Sequence, residues 1–193
     1  MLTLEFFQPL VPQRGAVLDL GCGWSEFINQ IRAARRLGMD LNPSARGNLD
    51  SAVVSLHQDC SVRWAEEDGP LDTVCTSNCF EYLPERAFLG RTLSEALRYL
   101  KVGGRLLCLG PNITCLPRAY WNFWDHYLPL MDLSLKDGVE LAGFRVDRSV
   151  GRFLPYAMDT GFCPPPWTVS LCLKLPTMWR RFGKQFLIVA VTP

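Results

Sequence analysis

Three apolar runs near the start of this 193-residue chain each end in or beside a carboxylate, and glycines follow the first. Asp19 lies in Val17-Leu18-Asp19-Leu20-Gly21-Cys22-Gly23, Asp40 in Leu37-Gly38-Met39-Asp40-Leu41-Asn42-Pro43, and Asp59 in His57-Gln58-Asp59-Cys60. Glycine lets a backbone approach a ligand closely, because no Cβ intervenes. Taken alone, the glycine pair is also compatible with a plain strand-to-helix turn, and each acid with a solvated loop. A pyrophosphate-binding turn wants the order G-x-G-x-x-G. Here the third position is Glu26, whose charge would repel a pyrophosphate, so a nicotinamide or flavin cofactor is disfavoured. Asp19 instead suits a ligand that carries an ammonium group. Asp40 can accept two hydrogen bonds from a ribose diol, and Asp59 one from an adenine amino group.

A second candidate chemistry lies further on, in Tyr120-Trp121-Asn122-Phe123-Trp124-Asp125-His126-Tyr127. His126 is the candidate base, with Asp125 beside it, and a satisfied structural histidine is the alternative. The aromatic rings either fill core under a long loop or close over a substrate, where their faces would favour a positive sulfur. Glu81 and Tyr82 open the loop after the fourth strand, where they either face substrate or, for Glu81 the preferred reading, cap a helix or stand exposed; His57 reads as remote from any reaction.

The elements that must position these residues alternate. Ala16–Leu20, Leu37–Asp40, Ala52–Leu56, Leu71–Ser77, Arg105–Leu109, Phe144–Val150 and Lys184–Val191 read as strands. The apolar spacing predicts helices over Ser25–Arg35, with Ser25 as N-cap, over Pro84–Leu100, with Gly103-Gly104 as its stop, and over Leu133–Ala142 before Gly143. Ser44–Asp50 is a candidate short helix. Trp167–Phe182 reads as helix that Pro176 breaks or kinks, and Phe162–Trp167 as a stiff connection. Pro111–Met131 has little regular pattern, a feature often associated with function. Alternating strands and helices imply an α/β fold, a doubly wound parallel sheet with helices on both faces.

Apolar residues make up 48% and charged residues 20%, with a formal net charge of +1. That balance suits one folded domain over residues 1–193 and gives no broad field to draw in nucleic acid. No apolar run approaches the roughly 18 residues of a membrane span, so no stable membrane insertion is expected. No secretory signal opens the chain, and the eight cysteines lack a C-x-x-C pair. A cytoplasmic protein with reduced thiols and no metal site is the expectation.

Together these runs resemble the class I S-adenosylmethionine-dependent methyltransferases. Val17–Ile28 is similar to their first motif and Asp40-Leu41-Asn42-Pro43-Ser44 to their second. Leu71–Pro84 is similar to the fourth-strand motif, and Leu100–Leu106 to the turn before the fifth strand. More narrowly, Asn78–Pro84, Leu109–Asn112, Tyr120–Pro129 and Gly183–Phe186 resemble the methyltransferase type 11 group. The resemblance implies a Rossmann-like seven-stranded sheet, mostly parallel, with an antiparallel last strand. It implies S-adenosyl-L-methionine as cofactor. Asp19, Gly21, Cys22, Gly23 and Trp24 would lie around its methionine portion, and Asp40 and Leu41 at the ribose. Asp59 and Cys60 would meet the adenine, and Ser77 and Asn78 the methyl end. Three departures stand out: Ser25 at the family's third glycine position, Tyr82 where a histidine is usual, and a short segment before Ala16. The expected activity is methyl transfer to a small molecule, with a sugar or lipid-linked intermediate as the expected acceptor class, by a monomer or homodimer. The alternative is an inactive methyltransferase-like protein that needs a partner.

Overall fold

The computed structural model describes residues 2–65, 69–156, 172–173 and 175–193. Seven strands form one sheet: β1 (Ala16–Leu20), β2 (Arg35–Asp40), β3 (Val54–His57), β4 (Leu71–Ser77), β5 (Leu100–Pro111), β6 (Arg145–Val150) and β7 (Gln185–Val191). Their spatial order is β3-β2-β1-β4-β5-β7-β6. β1 through β5 pair in parallel, and β7 runs antiparallel to both β5 and β6. This is the mostly parallel, doubly wound sheet with an antiparallel last strand that the sequence led us to expect.

β1 and β7 are buried along their whole lengths, as strands covered on both faces must be. Alternate residues feed two cores. Leu18, Leu20, Val74, Leu106 and Cys108 meet Leu89, Leu93 and Ala96 of α2 (Arg86–Tyr99) and Leu135 and Val139 of α3 (Asp132–Leu141) on one face. Val17, Cys75, Leu107, Leu187 and Val189 meet Ile28 of α1 (Glu26–Gln30), Phe7 and Trp179 of α4 (Pro176–Phe182) on the other. The segment before β1 is two short helical turns, Thr3–Phe7 and Gln8–Leu10. Phe7 is buried there, edge-on to Phe27 at 5.7 Å.

Several boundaries differ from the sequence reading. The helix expected over Ser25–Arg35 has only five residues, because Ile31 turns extended and Arg35 already belongs to β2. Ser25 does not cap it with its side chain; it stands in the left-handed region at φ 62°. Glycine-like geometry is thus retained at the position where the related motif has a glycine. α2 ends at Tyr99 rather than at the glycines, and β5 begins at Leu100, with a register shift before Arg105 pairs with Thr73. Pro176 starts α4 instead of breaking a helix, since a missing N–H costs nothing in a first turn. Ser44–Asp50 becomes a 3-10 turn over Pro43–Asn48. Phe162–Trp167, and the part of the expected Trp167–Phe182 helix up to residue 171, lie outside the described residues.

The irregular stretch after β5 is held at its ends. Asn112, 1% exposed, donates from Nδ2 to Asp132 Oδ1 and to the Gly151 carbonyl, both at 2.8 Å. Its Oδ1 accepts from Thr114 Oγ1 at 2.7 Å. Ile113 N donates to Leu130 O at 2.9 Å, closing the loop across its base. Tyr120 fills the loop's interior and donates its hydroxyl to Leu128 O at 2.5 Å.

The left-handed Ser25 generates the first prediction. A β-carbon in that conformation costs about 1–2 kcal/mol, offset in part by glycine's freer unfolded chain. Ser25→Gly is expected to stabilise the protein by about 0.5–1 kcal/mol, read as a higher denaturant midpoint at unchanged slope. A lower midpoint would mean that Ser25's buried contacts outweigh the strain.

Candidate functional site

Parallel pairing puts the carboxyl ends of β1, β2, β3 and β4 on one edge of the sheet. The turns that leave this edge hold Gly21–Trp24, Leu41, Asp59–Cys60 and Ser77–Asn78. The chain from β1 crosses to β2, while β4 lies on β1's other side. This reversal of strand order marks the edge at which such a sheet usually holds a ligand.

The turn after β1 is pinned from below. Gly21 N and Cys22 N both donate to Met39 O, at 2.8 and 3.1 Å. Gly21 has φ +68°, and a β-carbon there would come within 2.5 Å of Cys79 Sγ. Glycine is therefore required twice over, by its dihedral and by the side chain packed on it. A β-carbon on Gly23 would meet nothing closer than 3.9 Å, so that side of the turn is open. Cys22 is buried, with its sulfur close to Gly38, and it serves the turn through its backbone.

Asp40 grips the same turn. Its Oδ2 accepts from Gly23 N and its Oδ1 from Asn42 N, each at 2.8 Å. Asp19 sits one strand over, 3% exposed. Burial lifts its carboxyl from the ordinary 3.8 to about 8, and the charge of Asp40 adds to the rise. Asp59 Oδ1 accepts from Ser61 N at 2.7 Å. Cys60 is held from two sides: Trp64 Nε1 donates to its carbonyl at 2.8 Å, and Thr92 Oγ1 of α2 to its sulfur at 3.6 Å. The Cys60 and Cys79 thiols also share a hydrogen bond, which lowers Cys60 and raises Cys79. His57 Nε2 meets Leu41 O at 3.0 Å and so fixes the loop after β2. Leu41 and Trp24 stand exposed, at 66% and 83%.

After β4 the backbone turns left-handed at Asn78, φ 52°. Asn78 Oδ1 is buried without a partner. Glu81, expected to cap a helix or face solvent, is instead 1% exposed, and neither carboxylate oxygen has a partner. Its carboxyl is pushed up to about 8 by burial, with Asp125 adding to the rise, although its own backbone N–H lies near enough to oppose it. Its carbonyl accepts from Tyr127 N at 2.9 Å and Leu128 N at 3.0 Å, which draws the aromatic loop onto the end of β4.

His126 follows from that contact. It is 3% exposed, stacked on Phe123 at 4.6 Å and edge-on to Tyr120 at 4.8 Å and Tyr82 at 5.3 Å. Neither ring nitrogen completes a hydrogen bond, although the Tyr120 backbone lies near enough to favour protonation. Burial outweighs that and Asp125's charge, and holds the imidazole below its ordinary value. Asp125 is exposed and does not hydrogen-bond the ring; it acts on His126 only through space. Of the aromatic run, Tyr120 is core, whereas Trp121, Trp124 and Tyr127 are exposed.

The sequence reading does not single out Cys79, and it weighs a substrate-facing place for Glu81 but prefers a cap or solvent. Cys79 carried no legible signal. Glu81 carried a weak one, its place between Phe80 and Leu83. Among the described residues, no group of three His, Cys, Asp or Glu side chains could hold a metal ion, and no helix is long and apolar enough to cross a membrane. The described cysteines are free, and Cys163 lies outside the described residues.

The buried Asp19 generates a prediction with a definite sign. Folding holds its proton more tightly than the unfolded chain does. Folded stability is therefore complete below the ordinary value of 3.8 and is lost as pH rises towards about 8. Asp19→Asn removes this penalty. The variant is expected to melt higher than the parent in the ligand-free state, with a larger gain at pH 8 than at pH 5. An equal gain at both would show that Asp19 titrates normally.

Residues 2–149 match a family model described as a methyltransferase domain. No curated protein matches the chain. Among solved structures, a Haloferax volcanii complex of the Trm112 methyltransferase activator with a protein described as a methyltransferase is similar at 21% identity, TM-score 0.71, covering 95% of this chain and 84% of that one. A SAM-dependent methyltransferase of Archaeoglobus fulgidus follows at 20% identity, TM-score 0.69, covering 98% and 91%. The N-methyltransferase NodS of Bradyrhizobium japonicum, solved with S-adenosyl-l-homocysteine, is similar at 13% identity, TM-score 0.65, covering 93% and 79%. At these identities the likeness is one of fold.

Proposed function

The chain belongs to the class I S-adenosylmethionine-dependent methyltransferases, and from that premise we propose that it is an active enzyme that methylates a small-molecule acceptor. The observation that carries this reading is the set of acids on one sheet edge around a glycine turn with one open side. Gly23 leaves space where a side chain would stand, Asp19 is a buried carboxyl close to Asp40, and apolar Trp24 and Leu41 stand exposed on the same edge. That donor set fits a cation with a diol and an adenine. It suits S-adenosylmethionine, the cofactor of the family.

In this reading Asp19 and the backbone of Gly21, Cys22 and Gly23 hold the methionine portion, with Trp24 beside them. A bound ammonium would let Asp19 ionise where burial alone opposes it. Asp40, already oriented by Gly23 N and Asn42 N, keeps lone pairs for the ribose hydroxyls, and Leu41 covers the sugar. Asp59 and Cys60 receive the adenine, and Ser77 and Asn78 border the methyl end. When bound, the cofactor supplies a methyl group made electrophilic by its sulfonium. The chain's own share is to position the acceptor, exclude water and accept a proton where the nucleophile must lose one. His126 is the proposed base: a ring kept neutral by burial has a free lone pair. Asp125 supports it electrostatically. A sugar or lipid-linked molecule is the proposed acceptor, and the acting unit is a single domain, as monomer or homodimer.

A second reading is a binding protein that needs a partner. The Haloferax volcanii structure, in which an activator is bound, favours it, as do the exposed Trp24 and Leu41.

Titration calorimetry tests the cofactor, with S-adenosylhomocysteine as ligand and NAD as control. Preferred binding of the sulfur ligand supports the site, and equal or absent binding by folded protein overturns it. Asp40→Asn is expected to weaken S-adenosylhomocysteine by about 1–3 kcal/mol through loss of charge-assisted bonds; unchanged affinity would remove Asp40 from the site. His126→Ala is expected to slow turnover at least tenfold with little change in cofactor affinity, consistent with about 10²–10⁴-fold for general-base loss. Equal rates for variant and parent would end its role as base.

A further inference from the structure

The end of β4 gathers buried polar groups that the fold does not use. Glu81 is 1% exposed with both carboxylate oxygens unpartnered, His126 is 3% exposed with both ring nitrogens unpartnered, and Asn78 Oδ1 is buried and unpartnered. Unmet buried groups cost about 1–3 kcal/mol each, so their concentration in one place needs a reason. They are neighbours. The Glu81 carbonyl takes the two backbone N–H groups that follow His126, Tyr82 contacts the His126 ring, and Cys79 packs on Gly21 of the cofactor turn. The cluster therefore adjoins the part of the sheet edge where Asn78 stands.

Its charge is one-sided. Asp125 acts on Glu81, on Tyr82 and on His126; Glu81 acts on Cys79, Tyr82 and Tyr120; and Cys79 acts on Tyr82. Among the described residues, no Lys or Arg side chain acts on any of these groups. A neutral hydroxyl could meet the hydrogen-bonding demand but would leave the acids uncompensated. An ammonium group meets both needs, because it brings several donors and the missing positive charge.

We propose that the methyl acceptor is a small molecule whose nucleophile is an amine, held as its ammonium by Glu81 and converted there to the free amine. This deepens the methyltransferase reading and rests on it. On binding, the ammonium displaces the proton of Glu81 to solvent and pairs with the carboxylate. One N–H proton then passes to the neutral His126 ring, which leaves an amine nitrogen with a free lone pair beside the Glu81 carboxylate. His126 relays that proton onward to water. Glu81 thus sets substrate class, and His126 keeps the site able to reload.

The test follows the Glu81 carboxyl carbon by NMR in the whole protein saturated with S-adenosylhomocysteine. Its signal is assigned by its loss in Glu81→Gln, or in Glu81→Asp if the first variant does not fold. Methylammonium chloride is the probe, with methanol and sodium chloride as controls. Methylammonium is expected to move the Glu81 titration midpoint down by about one to three pH units, and to shift the His126 ring signals, where neither control does. A midpoint that is the same in methylammonium and sodium chloride overturns the proposal, as does an equal response to methanol. The cofactor reading fails separately, through absent binding of S-adenosylhomocysteine in the calorimeter.

Discussion

A strand buried on both faces at the centre of a sheet can present its end to a ligand only if the chain leaves it in an abrupt turn. β1 is that strand. Its exit is held by two N–H groups on Met39 O, and its conformation is left-handed at Gly21, Gly23 and Ser25. Everything along the sheet edge is referred to this turn. Asp40 binds Gly23 N, Cys79 sits where a Gly21 side chain would be, and Gly38 leaves space for Cys22. The third left-handed residue is a serine, so the chain keeps the geometry of a glycine turn while carrying strain within it. That outcome fits a fold in which neighbouring elements over-determine a local conformation.

Desolvation dominates the electrostatics of the same edge. Asp19 and Glu81 are both lifted to about 8 by burial, each with a second acid adding to the effect. Asp19 lies near the end of β1, and Glu81 in the turn that follows the adjacent strand β4. Each is a carboxyl whose proton is held more tightly in the folded protein than in water. In the proposed reading the first meets the cofactor's ammonium and the second that of the acceptor.

The loop after β5 shows how an irregular segment is made specific. Asn112 fastens one end, Tyr120 fills the middle, and the Glu81 carbonyl takes the other side. These contacts bury His126 among rings and leave Trp121, Trp124 and Tyr127 in solvent. An even mixture of core and surface roles resulted from one aromatic run, because the loop folds back on itself and only its inward positions are covered.

Local pattern alone determined the strands, their parallel association and the glycine turn, because a period of two, a period of 3.6 and a glycine pair are each readable within a few residues. It also determined which acids stand at strand ends, since strand and acid are neighbours in the chain. Tertiary structure alone decided what those groups became. Glu81 lies between a buried Phe80 and Leu83 and reads as surface by residue type, yet the loop from 112 to 131 closes over it. Asp125 and His126 are adjacent in sequence, but one turns to solvent and the other into the rings. Cys79 meets Gly21 across 58 positions of chain that no local pattern connects. Burial, and with it charge state, depends on which distant segments arrive, and a sequence read locally does not contain that.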